Sequence, residues 1–318
     1  MEFVEAIKSL QKQLQYQPEL VNPGKLGKFE RFIFVGMGGS ALGPDLLRTA
    51  KPGLDIIVHR DYGLPDLPEQ ALKSSLIILS SYSGNTEEVL DAMDTAMKKG
   101  LSVAAVSIGG KLLEIAKQNG IPHVQIPDWG LEPRLTLGLN IKAILKIIGQ
   151  EEDLNNILRI DLGDYENLGR DIAEKLKGFV PIIYSSRKNG PIAYSWKVKI
   201  NETAKKPSFA NVFPELNHNE MAGFHAGEVS KLLSQNFYFI FLKDATDRPR
   251  ILKRMDVLGG MLRSKMLNVE IVELTGEDIW SKIFSSLVLA DWVSYYIAKE
   301  YNVDPADISA IEEFKKSI

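Results

Sequence analysis

Arg31-Phe-Ile-Phe-Val-Gly-Met-Gly-Gly-Ser40 decides how this chain folds. An apolar run, Arg31-Phe-Ile-Phe-Val35, meets a cluster of glycines, and the helix-like Leu42 to Ala50 follows. Strand, glycine turn and helix in that order open an α/β unit. Working outward, Leu54 to His59 and Ser75-Leu-Ile-Ile-Leu79 repeat the strand signal, the latter running into Ser80-Ser-Tyr-Ser-Gly-Asn-Thr86. Val89, Leu90, Met93 and Met97 then mark one face of a helix that Gly100 ends. Leu101 to Val106 reads as a strand, Leu112 to Gln118 as a helix and His123-Val-Gln-Ile126 as a strand. Before them, Phe3, Val4, Ile7, Leu10 and Leu14 have the rhythm of an outer helix, closed by Asn22-Pro23-Gly24. Strands that are apolar throughout and alternate with helices imply an α/β fold whose parallel sheet is covered on both faces.

The second half repeats this order. Val180-Pro-Ile-Ile-Tyr184 reaches Ser185-Ser-Arg-Lys-Asn-Gly190 and the helix-like Ile192 to Ala204. Phe237-Tyr-Phe-Ile-Phe-Leu242 precedes Lys243-Asp-Ala-Thr-Asp247 and a helix from about Pro249, and Val269 to Leu274 corresponds to the strand at Leu101. These matches predict a duplicated α/β unit, with a boundary in the polar stretch Gly149 to Gly163 that follows the helix-like Leu139 to Ile148. The predicted domains are therefore 1–152 and 153–318. Ile279 to Tyr301 is expected to form an amphipathic helix, with a short terminal helix from about Pro305.

Composition narrows the function. With 38 basic and 41 acidic side chains the formal charge is 38 − 41 = −3, which argues against a general nucleic-acid or membrane-surface binder. Apolar residues at 45% and charged residues at 25% supply a buried core. The chain has no cysteine, so disulfides, thiolate metal sites and cysteine nucleophiles are excluded, and a reducing cytoplasm is the expected location. Charges at Glu2, Glu5 and Lys8 deny the first residues the apolar core of a secretory signal, and no apolar run approaches the roughly 20 residues of a membrane span.

Two loops look built for phosphate. Gly36-Met-Gly-Gly-Ser-Ala41 fits the looser dinucleotide fingerprint, in which small residues let a ligand phosphate approach the amides of a helix N-terminus; the same turn also occurs without a ligand. Ser80 to Thr86 offers hydroxyls, a glycine and an asparagine, a neutral cradle for a monoester, and helix capping by Ser83, Asn85 or Thr86 is compatible with that role. Glu87 and Glu88 would repel a phosphate and are expected to point away. Loops on successive strands of one sheet suit a sugar phosphate better than a dinucleotide. The ribose-binding acid of a dinucleotide site has only Asp61 as a candidate, 25 positions after Gly36.

Other groups could perform chemistry. Glu132-Pro-Arg134 sets a cation beyond a proline turn, suited either to a developing enediolate or to a surface salt bridge. Asn201-Glu-Thr-Ala-Lys205 puts Glu202 near a helix C-terminus, where a glutamate is usually only solvated. Pro214-Glu-Leu-Asn-His-Asn-Glu220 gathers polar groups around His218 without apolar periodicity, as functional loops and capped turns both do. The histidines, His59, His123, His218 and His225, make no zinc-like spacing with carboxylates, so no metal is expected, and there is no Gly-x-Ser-x-Gly elbow.

Taken in order, Gly36-Met-Gly-Gly-Ser40, Ser81-Tyr-Ser-Gly-Asn-Thr86, Glu132-Pro-Arg134, Asn201-Glu-Thr-Ala-Lys205, Glu215-Leu-Asn-His-Asn-Glu220 and Val303-Asp-Pro305 with Ile311-Glu-Glu-Phe-Lys315 closely resemble the bifunctional phosphoglucose/phosphomannose isomerases of the sugar isomerase (SIS) superfamily. The resemblance spans about residue 30 to 315. It implies two SIS domains, each a flavodoxin-like, doubly wound parallel sheet flanked by helices. It implies a homodimer with active sites at the interface, part of each site, including the His218 loop, coming from the partner subunit. The implied reaction interconverts glucose 6-phosphate or mannose 6-phosphate with fructose 6-phosphate, without metal or cofactor.

By the same resemblance Glu202 matches the base that moves a proton between C2 and C1, Arg134 the cation beside the cis-enediol(ate), and His218 the histidine that assists ring opening. Ser81, Ser83 and Thr86 match the phosphate cradle, Gly38, Gly39 and Ser40 line the sugar side, and Lys315 matches a terminal lysine near the ring oxygen. Tolerance of either C2 epimer is tied in the family to a small hydroxyl residue near the C-terminus, where this chain reads Ala306-Asp-Ile-Ser309. Two other readings compete. A non-catalytic SIS-type sensor would keep the serine loop without needing Glu202, Arg134 and His218 together. A nicotinamide-dependent oxidoreductase rests on the first glycine loop alone.

Overall fold

In the computed structural model, which describes residues 2–224 and 228–317, the apolar runs become the strands of two separate parallel sheets. The chain divides into two compact units, Met1–Asp161 and Leu162–Ile318.

The first unit runs α1 (Phe3–Leu14), β1 (Arg31–Val35), α2 (Gly39–Ala50), β2 (Asp55–His59), α3 (Glu69–Lys73), β3 (Ser75–Ser80), α4 (Glu87–Lys98), β4 (Val103–Ser107), α5 (Gly110–Gln118), β5 (His123–Gln125), α6 (Leu137–Ile147) and α7 (Glu151–Leu158). Its strand order is β2-β1-β3-β4-β5. Val35 therefore lies opposite both His59 and Leu79, and the winding reverses between β1 and β3. Every residue of β3 is buried, as a central strand covered on both faces must be. Ile33, Ile77 and Leu79 pack with Val89, Met93 and Leu112 from α4 and α5, each such side chain contributing about 1.5–3 kcal/mol of burial. The free edge of β5 is closed by Val21, which exchanges backbone bonds of 2.9 and 3.2 Å with His123.

The stretch 149–163, expected to hold the boundary, contains α7. Leu154 and Ile157 are buried, the Asp153 carboxylate meets Lys51 Nζ at 2.8 Å, and Gln11 donates to the Ile160 carbonyl at 3.0 Å. These contacts hold α7 to the first unit, so the break falls after Asp161, inside the expected stretch but nine residues beyond the division predicted at 152/153.

The second unit runs α8 (Glu166–Lys175), β6 (Val180–Ser186), α9 (Gly190–Ala204), β7 (Phe209–Phe213), α10 (Glu220–Gly223), α11 (Glu228–Ser234), β8 (Phe237–Lys243), α12 (Pro249–Ser264), β9 (Asn268–Glu273), α13 (Ile279–Glu300) and α14 (Ser309–Ser317). Its order, β7-β6-β8-β9, repeats the first four positions of the other sheet. Strand β7 has no counterpart among the runs read from sequence. It is an edge strand, largely half-exposed, bounded by Pro207 and Pro214, so it lacks the apolar density of its neighbours.

Helix α13 corrects another expectation. It is not amphipathic in its surroundings: Ile283 to Ser294 is buried throughout. Its polar groups are paired inside, Asp291 with Lys199 Nζ at 2.6 Å and the Ser286 hydroxyl with Trp196 Nε1 at 2.9 Å. Gly169 lets α8 close on it, since a Cβ there would run into the Cβ of Trp292. Among the described residues no helix is long and apolar enough to cross a membrane.

Candidate active site

The first loop is shaped by what its glycines permit. Gly38 has φ +48, a left-handed value that glycine adopts without steric cost. Gly36 lies where a Cβ would stand 2.9 Å from the Ser80 carbonyl oxygen, so the turn after β1 presses on the end of β3. At Gly39 a Cβ would meet Pro133 C at 2.7 Å and Arg134 N at 2.8 Å. The start of α2 is thus seated against the turn that carries Arg134. Ser40 Oγ accepts from the Tyr82 amide at 3.0 Å, tying the first loop to the second.

In the second loop the hydroxyls divide their work. Ser81, fully buried, accepts from the Gly84 amide at 3.0 Å and shares a 2.7 Å bond with Thr86 Oγ1. Ser83 is exposed and accepts from the Asn85 amide at 3.2 Å. None of the three candidate caps supplies a side-chain cap to α4; Asn85 Oδ1 instead accepts from the Lys111 amide at 3.1 Å. The first-turn amides of α4 therefore have neither an intrahelical partner nor a side-chain cap, which is the condition for holding an oxyanion. Glu87 is exposed and Glu88 half-buried at the start of α4. Gly84, at φ +73, lets the loop approach Gly109, whose carbonyl oxygen would collide with an added Cβ.

Arg134 follows Pro133 in a 3-10 turn, Pro133–Leu135. Its side chain has no solvent exposure and stands 3.8 Å from Glu132, so it is a buried cation and not a member of a surface ion pair. Burying a guanidinium costs several kcal/mol unless neighbours or a ligand compensate. Sequence reasoning missed two polar groups elsewhere in this unit. Asn140, in the apolar α6, donates to Ser80 Oγ at 3.0 Å. Tyr82 has a buried hydroxyl near Asp128 and the Leu131 backbone, and burial together with the Asp128 charge pushes its pKa up to about 12. An asparagine inside an apolar helix was the available signal for the first; the second had none.

In the second unit, Glu202 is half-buried in the last turn of α9, which ends at Lys205 in a left-handed conformation, φ +53. Lys205 Nζ donates to the Glu202 carbonyl. Of the two readings open for the His218 segment, the capped turn is the one that forms: a 3-10 turn, Glu215–His218, leads into α10, whose first amide is capped by the Asn219 side chain. It is tied at several points: Tyr184 donates to Glu220 Oε1 at 2.6 Å, Asn211 donates to the other carboxylate oxygen, Asn219 Nδ2 to Glu215 at 2.9 Å, and Arg254 to Asn217 at 3.2 Å. Burial and the Glu220 carboxylate push the Tyr184 pKa far up, so it remains a donor. His218 itself is exposed, without a hydrogen-bond partner among the described residues. Beside it a pocket of about 380 Å³ is lined by Asn217, Met221, Arg250, Lys253, Arg254 and Val257.

Lys315 is exposed on α14. Ser309 is also exposed and its hydroxyl donates to Asp307 at 3.0 Å. His59 and His123 contact backbone carbonyls, of Tyr62 at 3.2 Å and Ile121 at 2.8 Å, while His225 lies outside the described residues. Among the described residues no three His, Asp or Glu side chains gather as a metal would require. The first unit thus brings together Gly38, Gly39, Ser40, Ser81, Ser83, Thr86 and Arg134, and the second carries Glu202, His218 and Lys315.

Residues 165–318 match the bacterial phospho-glucose isomerase C-terminal SIS domain family. A bifunctional phosphoglucose/phosphomannose isomerase of Caldicellulosiruptor bescii is 34% identical over 92% of this chain and 91% of its own. Another of the same name, from Thermoplasma acidophilum, is 33% identical over 100% of this chain and 98% of its own. Among solved structures, a hypothetical protein from Thermus thermophilus superposes with a TM-score of 0.72 at 15% identity, covering 99% of this chain and 86% of that one, a likeness of fold.

Proposed function

The chain belongs to the bifunctional phosphoglucose/phosphomannose isomerase family, and from that premise we propose that it interconverts glucose 6-phosphate and mannose 6-phosphate with fructose 6-phosphate in the cytoplasm. The phosphate is held by the hydroxyls of Ser83 and Thr86 and the first-turn amides of α4, in a loop that Ser81 holds in shape. His218 moves the proton that opens the ring. Glu202 then takes the proton from C2 or C1 and returns it to the other carbon, through a cis-enediol(ate). Arg134 stabilises the charge that develops on the enediolate oxygens, where a preorganised cation acts most strongly. Lys315 is assigned to the ring oxygen. No step calls for a metal or an organic cofactor, because the base, the proton shuttle and the cation are side chains.

The observation that carries this reading is Arg134, a guanidinium without solvent exposure on the turn that Gly39 seats against the first loop, in the unit that also holds the neutral serine loop. A sensor that only binds a phosphate ester has no use for a buried cation together with Glu202 and His218. The test is a coupled assay with fructose 6-phosphate in the presence of a chelator, scoring the two aldose phosphates separately. Both products at comparable rates support the bifunctional reading and metal independence. Glucose 6-phosphate alone would narrow the C2 pocket, and binding without turnover would leave the sensor.

The same proposal makes the molecule a homodimer whose sites are composite, the His218 loop of one subunit serving the other's Glu202. An exposed histidine on a firmly tied loop supports it, as do the exposed Val257, Met266 and Phe314 of the second unit. Mixing inactive Glu202→Gln and His218→Ala dimers tests it: subunit exchange restores one intact site per mixed dimer if the sites are composite, and none if each site lies within one chain.

A further inference from the structure

The second sheet has its own switch point, between β6 and β8, where doubly wound sheets bind ligands. Counting from the last pair of each ladder gives a correspondence with the first sheet. Val35 lies opposite Leu79, and Ser185 opposite Leu242. Two residues on from Leu79 stands Ser81; two on from Leu242 stands Asp244. Both side chains are fully buried.

The donors around Asp244 are those of an oxyanion site. Lys282 Nζ reaches Oδ1 at 2.7 Å, with the Thr246 amide at 3.0 Å and its hydroxyl at 2.8 Å. Lys188 Nζ reaches Oδ2 at 3.3 Å and Asn189 Nδ2 at 3.4 Å. Two ammonium groups, a hydroxyl, a backbone amide and a side-chain amide converge on one carboxylate, as they would on a phosphate. Burial alone would raise the Asp244 pKa, but the bonds from Lys282 and Thr246 hold it well below the ordinary carboxylate range, so it is an anion. The neighbouring Asp247 is held on the β6 side, accepting from Ser186 Oγ at 2.8 Å. Lys188 keeps 41% of its side chain exposed, which leaves the cluster a route to solvent.

We infer that this switch point is an oxyanion cradle whose occupant is the chain's own Asp244 carboxylate, so that removing the carboxylate opens a site for inorganic phosphate between Lys188 and Lys282. The second sheet's switch point is then filled from within and takes no phosphate of its own. The inference stands on the geometry of the second unit and is independent of the isomerase reading.

The test is calorimetric titration with inorganic phosphate of the full chain, wild type against Asp244→Ser, which installs the residue the first sheet carries at the corresponding position. The serine variant is expected to bind one more equivalent per chain than the wild type, and to lose that equivalent when combined with Lys282→Met. Asp244→Ala is expected to gain it too, which covers the case in which the serine variant fails to fold. Titrations of both variants that match the wild type overturn the inference, as does an extra equivalent that survives Lys282→Met. Phosphate bound by the wild type itself cancels in the comparison.

Discussion

Replacing Gly39 by alanine tests how closely fold and site are coupled in the first unit. A glycine at a helix start ordinarily stabilises when changed to alanine, by about 0.4–1 kcal/mol, because the unfolded chain loses freedom. Here the new methyl would lie 2.7 Å from Pro133 C, 2.8 Å from Arg134 N and 2.9 Å from Pro133 Cβ, short of ordinary contact at 3.4 Å by about 0.5 to 0.7 Å. Two of the three neighbours are backbone atoms and cannot rotate away. Overpacking of that kind costs about 1–3 kcal/mol, so Gly39→Ala is expected to destabilise by about 1–2 kcal/mol net. The displaced turn carries Arg134, and a shift approaching 1 Å at a catalytic group costs up to about 10²-fold in rate. Urea unfolding followed by circular dichroism, compared at equal slope, reads the first effect, and the coupled assay reads kcat. Gly260→Ala is the control: Gly260 lies inside α12 with nothing within 4 Å of an added Cβ, and that change is expected to stabilise by about 0.5–1 kcal/mol and leave kcat alone. A Gly39→Ala protein as stable and as fast as wild type would refute the proposed seating of Arg134.

Glu202→Gln is expected to lower kcat by about 10²–10⁴-fold while sugar-phosphate binding, read by calorimetry, persists; near-normal turnover removes the base. Ser81→Ala and Ser83→Ala should separate. The first strips a buried hydroxyl from Gly84 and Thr86 and costs about 1–3 kcal/mol of stability, whereas the second, at an exposed position, stays within about 0.5 kcal/mol and raises KM; equal stability losses would contradict the division of roles. Lys142, 1% exposed and donating to the Leu14 carbonyl at 2.5 Å, has its pKa lowered by burial to about 8 from 10.5. Because the unfolded chain binds the proton more tightly, the penalty is full below about 8 and is relieved as pH rises towards 10.5. Wild-type stability should therefore gain on Lys142→Met over that window, by an amount on the order of 1–3 kcal/mol, in parallel urea titrations; a constant difference across pH would show that Lys142 does not titrate there.

Much of this molecule was written locally. A strand covered on both faces is apolar through its middle, so Arg31–Val35, Ser75–Ser80 and Phe237–Lys243 have one reading whatever lies far away in the chain. Glycine turns after those strands are equally local, and the six ordered motifs carry the family because each is a short run of contiguous residues. Tertiary structure decided the rest, because it depends on partners distant in sequence. Strand β7 exists because β6 is beside it, and its half-exposed residues say little on their own. Helix α7 joins the first unit because Asp153 meets Lys51 across 102 residues. Helix α13 is buried all round because Lys199 and Trp196 answer polar groups that periodicity assigned to solvent. The sequence could name the hydroxyls and carboxylates of the loops. Only the fold showed that Ser81 is consumed in shaping its loop while Ser83 stays exposed, and that Asp244 answers two lysines from opposite directions along the chain.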